Sequence, residues 1–372
     1  MEDQIITIIT CPYSRAQLIK GKLESEGIEC FLSNINLVQP DIAAGVNIKI
    51  KESDAGKVLP IINKIKEQSG AEKQATLKEL KSIRRILVPV DFSEHSLNAC
   101  NYALALADKL KAEIKLLYSY FNPIIGSEPY LEGQSFDLYM DQVINNIAID
   151  ARRHLLELKS KIQQQVEAEN IKHVKISYAL DKGPADDVIF HYIEKFKPGV
   201  VVMGIKGADD DSGKFIGSTT RKVMENSQVP VFAIPGNAEF KSTQQFNRVL
   251  YATNFDESDF GSLRKLMTLV RPFNMKIMCA HISFEGMGKV DEARMKSMKK
   301  HFNEEYQEYS ISCEIIQHEN VVEGLQEYIE KNEIDMIAMT THKRGIIERF
   351  FNPSIARKML FHSRIPVLVF HS

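Results

Sequence analysis

The chain carries one sequence pattern twice. Arg85-Ile86-Leu87-Val88-Pro89-Val90-Asp91-Phe92 matches Arg248-Val249-Leu250-Tyr251-Ala252-Thr253-Asn254-Phe255 at an offset of 163. Further on, Arg221-Lys222-Val223-Met224 matches Arg357-Lys358-Met359-Leu360, and Val229-Pro230-Val231-Phe232 matches Ile365-Pro366-Val367-Leu368. Met203 falls on Met339 and Ser218 on Ser354, all at an offset of 136. The change of offset gives the first copy about 27 extra residues in its middle. Ordered matches of this kind predict two copies of one domain, over 84–237 and 247–372.

Within the first copy, apolar runs alternate with helical stretches. Ile86–Val90, Ile114–Tyr118, Val174–Leu180, Val200–Gly204 and Val231–Ile234 read as strands. Leu97, Cys100, Leu104 and Ala107 lie at helical spacing in 93–110. Helices are expected over about 136–168, over Ala185–Phe196 and over Ser218–Asn226. Pro123, Gly126, Pro129 and Gly133 make 121–135 a loop, and Lys195-Phe196-Lys197-Pro198-Gly199 reads as a helix stop. Strands alternating with helices predict an α/β fold, a parallel doubly wound sheet covered on both faces.

The first 70 residues differ. A strand at Ile5–Ile9, a helix at Arg15–Glu26, strands at Glu29–Leu32 and Val46–Ile50 and a helix at Ala55–Ile65 give β-α-β-β-α, a small α+β domain of ferredoxin-like type. Residues 71–83 and 238–246 read as linkers. Composition is that of a globular protein, with 44% apolar residues and net charge −2, which gives no pull toward nucleic acid. No apolar run is long enough to span a bilayer, and Met1-Glu2-Asp3-Gln4 lacks a basic leader region. Cys11, Cys30, Cys100, Cys279 and Cys313 are odd in number, scattered and without a C-x-x-C pair. Reduced thiols and a cytoplasmic location are therefore expected. The histidines are scattered too, and no metal site is expected.

Chemistry concentrates between the fourth strand of the first copy and the helix after it. Gly204-Ile205-Lys206-Gly207 is followed, nine residues on, by Gly217-Ser218-Thr219. Strand, glycine-punctuated loop and helix form a layout that cradles phosphates, because backbone N–H groups and a helix N-terminus face the anion. Glycines there would allow φ > 0 and a close ligand. Asp91, just past its strand, would accept from a ribose hydroxyl or a base amino group; alternatively Asp91 or Ser93 caps the next helix, and the two roles are compatible. In doubly wound sheets such a ligand sits where strand order reverses.

Leu87-Val88-Pro89-Val90-Asp91-Phe92-Ser93-Glu94, joined to the G-x2-G-x9-G-S spacing, resembles the universal stress protein domain, present here as a tandem pair. The resemblance implies a five-stranded parallel sheet of the adenine nucleotide alpha hydrolase type and, for the ATP-binding branch, ATP or AMP. It implies that Pro89, Val90 and Asp91 line the nucleoside and that Ser119 meets adenine through its backbone. Met203 and Gly204 would pack near the ribose, and Lys206, Gly207, Gly217, Ser218 and Thr219 would hold the phosphates. It also implies pairing through last strands. Here Val231–Ile234 and Val367–Phe370 would make an intrachain pseudo-dimer, with room for association between chains. The N-terminal segment resembles a small bacterial module described as signal-transducing.

The second copy departs from the pattern. Thr340 stands for Gly204, Lys343 for Gly207, Pro353 for Gly217 and Asn254 for Asp91. Proline removes a donor and the other residues add Cβ atoms, so this copy is expected to bind no nucleotide or to bind it poorly. Its His342-Lys343-Arg344 reads as a solvated basic loop or, as the alternative, a holder of some other anion. Asp209-Asp210-Asp211 inside the first copy's loop would repel a triphosphate unless they face solvent or Mg2+ bridges them, or else the site takes AMP or stays empty; Lys206 and Lys214 offset part of the charge. Together these features predict a cytoplasmic stress-response regulator that binds adenine nucleotide. The alternatives are an interaction scaffold without nucleotide and, with no Walker lysine, general base or arginine finger by motif, a slow ATPase.

Overall fold

The structure is a computed structural model. It describes residues 5–11, 13–33, 46–67, 84–120, 134–206, 216–236, 238, 246–255, 257–284, 288–305, 311–341 and 365–371. The N-terminal module runs β1 (Ile5–Cys11), α1 (Tyr13–Ser25), β2 (Cys30–Ser33), β3 (Val46–Lys51) and α2 (Ala55–Glu67). The first repeat follows as β4 (Arg85–Pro89), α3 (Glu94–Leu110), β5 (Glu113–Tyr120), α4 (Gln134–Ala168), β6 (Ile176–Lys182), α5 (Ala185–Phe196), β7 (Val200–Gly204), α6 (Ser218–Asn226) and β8 (Val231–Ile234). The second repeats the order with β9 (Arg248–Ala252), α7 (Glu257–Val270), β10 (Lys276–Ser283), α8 (Gly288–Glu305), β11 (Ile311–Gln317), α9 (Val321–Lys331), β12 (Met336–Thr341) and β13 (Val367–His371).

The chain divides into two compact units. The first comprises Lys81–Thr243 with Pro366–Val369; the second comprises Met1–Leu80, Gln244–Ile365 and Phe370–Ser372. In the first unit the sheet order is β8-β7-β4-β5-β6, all parallel. Val367–Val369 is added antiparallel to β8, with Leu368 opposite Phe232. Ile86, Leu87, Val88 and Val200–Val202 are fully buried, as expected of central parallel strands covered on both sides. Against this sheet α3 packs Ala99, Ala103, Leu104 and Ala107. Ser93 caps α3 by accepting from Ser96 N at 3.2 Å, and Lys111 in the left-handed region ends it. Lys197 ends α5 the same way, where the sequence predicts a stop.

In the second unit β11-β10-β9-β12 is parallel. The module adds a separate antiparallel sheet, β1-β3-β2, whose apolar face is closed by α1 and α2 through Ile6, Ile8, Ile19, Leu23, Ile48, Ile50 and Val58. Alternating burial along β3 shows a sheet with one wet face. Within this unit α2 lies against α8. Among the described residues no helix is long and apolar enough to cross a membrane.

Candidate functional site

From β4 the chain moves outward on one side to β5 and β6. It then returns to the other side of β4 for β7 and β8. Strand order therefore reverses between β4 and β7, where Ile86 pairs with Val200 and Leu87 with Val201. Asp91 after β4, Ser119 near the end of β5, and Met203 and Gly204 at the end of β7 come together at the carboxyl ends of three neighbouring strands. Pro89 is half-buried and Val90 buried; Val90 N donates to Leu117 O at 2.8 Å, which fixes the turn toward Asp91. Ser119 pairs with Asp181 across β5 and β6.

Asp91 braces the capping residue Ser93 and does not itself cap α3. Its Oδ1 accepts from Ser93 Oγ at 2.6 Å and from Ser93 N at 3.1 Å. Its own N–H donates to Ser96 Oγ at 3.3 Å. The intervening Phe92 sits at φ 63°, an uncommon conformation for a large side chain, and stacks on Tyr118 at 4.8 Å with His154 against its edge at 5.4 Å. The sequence reading missed this aromatic wall beside Asp91.

Gly204 is required by space and not by φ > 0. A Cβ there would lie 2.8 Å from the carbonyl carbon and Cβ of His95, at the start of α3. Gly236 meets the imidazole of the same histidine, with a Cβ 2.5 Å from its ring. Gly217 likewise has φ −60° and ψ 148°, which any residue adopts. The expected left-handed glycines are thus absent at both positions: Gly204 ends a strand and Gly217 is extended. His95 was another omission: its Nδ1 is buried with no hydrogen-bond partner among the described residues. Burial pushes its pKa down, the charge of Lys206 pushes the same way, and Asp91 and Glu94 oppose them. Those influences place Lys206, His95 and Asp91 in one neighbourhood.

The ends of the loop are pinned by main-chain hydrogen bonds. Ile205 N donates to Ile234 O at 2.9 Å and Gly217 N to Ile205 O at 2.8 Å. The Gly217 amide, expected to face an anion, is therefore engaged within the protein, as is that of Ile205. Buried Thr220 donates from Oγ1 to Gly204 O at 2.8 Å and ties the first turn of α6 to β7. Among the described residues no side chain caps α6, and Ser218 (exposed) and Thr219 (half-buried) form its first turn. Its positive end thus lies at the strand ends. Gly207, Asp209-Asp210-Asp211 and Lys214 lie outside the described residues.

The second repeat keeps the backbone and changes the chemistry. Phe255 repeats the left-handed turn at φ 62° and packs 4.3 Å from His281, which occupies the place of Tyr118. Tyr251, Asp259 and Thr340 replace Val88, Ser96 and Gly204. All three are buried and joined: Tyr251 Oη donates to Asp259 Oδ1 at 2.8 Å and shares a 2.5 Å bond with Thr340 Oγ1. Thr253 donates to Asp259 Oδ2 at 2.6 Å and Asn254 N to the same oxygen at 3.1 Å. Burial, reinforced by Asp259, drives the Tyr251 phenol well above its ordinary pKa. The substitutions were visible at the offsets of 163 and 136; their convergence was not. Lys343, Pro353, Ser354 and His342-Lys343-Arg344 lie outside the described residues.

A doubly wound parallel sheet with polar groups gathered at its switch point defines the class of this protein. Its family follows from comparison. The model of the universal stress protein family matches residues 82–235 and again 245–371, so the chain belongs to that family, as a tandem. A universal stress protein of Methanocaldococcus jannaschii is 26% identical over 153 residues, covering 41% of this chain and 81% of that protein. The Bacillus subtilis universal stress protein YxiE is 26% identical over 158 residues, 40% of this chain and 97% of that one. Among solved structures, a universal stress protein from Archaeoglobus fulgidus superposes with a TM-score of 0.58 at 20% identity, covering 78% of this chain and 97% of that one, which supports the fold.

Proposed function

We propose that the first repeat binds an adenine nucleotide, ATP or AMP, and that the protein is a cytoplasmic stress-response regulator in which occupancy of this site is the signal. One observation carries the reading: Asp91, Ser119, Met203-Gly204 and Lys206 gather at the switch point beside the uncapped N-terminus of α6. In this reading Pro89, Val90 and Asp91 line the nucleoside, Ser119 meets adenine through its backbone, and Met203 and Gly204 flank the ribose. Lys206, Gly207, Gly217, Ser218 and Thr219 surround the phosphates, with Mg2+ offsetting Asp209–Asp211 when ATP is the ligand. Gly217 contributes room for the anion, since its own N–H is engaged. The second repeat acts as partner and not as receptor. Its Tyr251–Asp259–Thr340 set supports this, and the run of Val367–Val369 beside Val231–Ala233 supports an intrachain pair. The N-terminal module relays or receives the signal.

Calorimetric titration of the full chain with ATP and with AMP tests the proposal, and about one nucleotide per chain is expected. Gly217→Val should abolish binding and Pro353→Gly should leave it unchanged. Absence of heat with both nucleotides would favour the second reading, an interaction scaffold. That alternative is supported by the engagement of Asp91 Oδ1 and the Gly217 N–H within the protein. Steady phosphate release that disappears in Gly217→Val would instead mark a slow ATPase.

A further inference from the structure

Cys279 and Cys313, 34 residues apart in sequence, stand directly opposite one another on β10 and β11. The register is continuous on both sides, with Met278 opposite Ser312 and Ala280 opposite Glu314. Partners in register on parallel strands project from the same face of the sheet. Adjacent strands are about 4.8 Å apart, within the roughly 4.4–6.8 Å between Cα atoms that a disulfide spans. Cys279 is fully buried, its sulfur 3.6 Å from that of Met298 on α8. Cys313 is half-buried on the edge strand of the unit's parallel sheet. At the equivalent register the first repeat pairs Leu116 with Tyr178, so the fold itself does not require two thiols there.

We propose that Cys279 and Cys313 form an oxidative modification site, a dithiol that a hydroperoxide converts to a reversible disulfide. Their roles are unequal. A hydrogen bond from Cys279 lowers the pKa of Cys313; burial opposes this, the positive charge of Lys299 assists it, and the negative charge of Glu314 counters it. Cys279 is raised by the same pairing and by burial. Half exposure beside a lysine is the setting of a reactive cysteine. The Cys313 thiolate attacks one peroxide oxygen; an S–O bond forms, the O–O bond breaks, and hydroxide leaves and takes up a proton as water. The Cys279 sulfur then attacks Cys313; the S–S bond forms, the S–O bond breaks, and a second water carries off the sulfenic hydroxyl and the Cys279 proton. The two sulfurs lose two electrons and the peroxide gains them. Exchange with an external dithiol restores both thiols.

The test is treatment of the full chain with hydrogen peroxide, followed by alkylation and peptide mapping without reductant. Alkylatable thiols should fall from five to three, with a Cys279–Cys313 cross-link that dithiothreitol removes. The cross-link should form about tenfold faster in the folded chain than in urea. In Cys279→Ser, Cys313 should be trapped by dimedone as the sulfenic acid; in Cys313→Ser, Cys279 should stay unmodified. Five alkylatable thiols after treatment, a cross-link between other cysteines, sulfinic acid at Cys313 in the unsubstituted protein, or sulfenic acid at Cys279 in Cys313→Ser would each overturn the proposal. If Cys279→Ser does not fold, the unsubstituted chain and Cys313→Ser decide.

Discussion

His95 determines two glycines in different ways, and the difference is measurable. The nearest atoms to a Cβ at 204 are His95 main chain and Cβ; those to a Cβ at 236 are ring atoms. Gly204→Ala should therefore lower stability by about 1–3 kcal/mol in chemical denaturation whether or not the ring is present. Gly236→Ala should be costly in the native background and nearly harmless together with His95→Ala, a coupling that a double-mutant cycle reads directly. The same histidine predicts a pH dependence. Its folded pKa lies below the ordinary value, so the unfolded chain binds the proton first. Its contribution to stability is complete above about pH 6.5 and is lost as pH falls from there toward the folded pKa. His95→Gln should flatten that part of the stability–pH curve. None of this was legible in the sequence: a glycine-rich loop signals a possible anion site, but the spacing does not tell which glycine faces a ligand and which faces a neighbouring helix.

At the scale of elements the sequence was far more open. Ala185–Phe196, Val200–Gly204, Ser218–Asn226 and Val231–Ile234 appear with the predicted bounds, and the other strands deviate by one or two residues. The reason is physical. A strand buried on both faces must be apolar throughout, and helix ends need a cap or a left-handed residue, so both leave local marks. Register between strands leaves none, which is why Cys279 opposite Cys313 had to await the fold. The Tyr251–Asp259–Thr340 set is of the same kind, three residues from β9, α7 and β12. Tyr251→Phe removes a donor from Asp259 and a partner from Thr340 in a fully buried place. The expected loss is about 1–3 kcal/mol in the second unit, seen as an earlier unfolding transition, with nucleotide titration of the first unit unaffected.

Over the whole molecule the repeat is more exact in backbone than in side chains. Left-handed residues recur at Phe92 and Phe255, at Lys111 and Asn274, and at Lys197 and Glu333, each at its offset and with different chemistry in two of the three pairs. Turn geometry is held by the chain path, so residues there drift while conformation persists. The places where the copies diverge, Asp91 against Asn254, Gly204 against Thr340 and Leu116 against Cys279, are where one nucleotide per chain and one dithiol per chain have their origin in this reading. The contact between Val367–Val369 and β8 has a consequence for synthesis. Every strand of the first repeat leaves the ribosome more than a hundred residues ahead of the segment that covers the outer flank of β8. For that interval the nascent protein displays unsatisfied ladder donors and acceptors, and polysomes translating it in close file are where chain-to-chain misassembly has its opportunity.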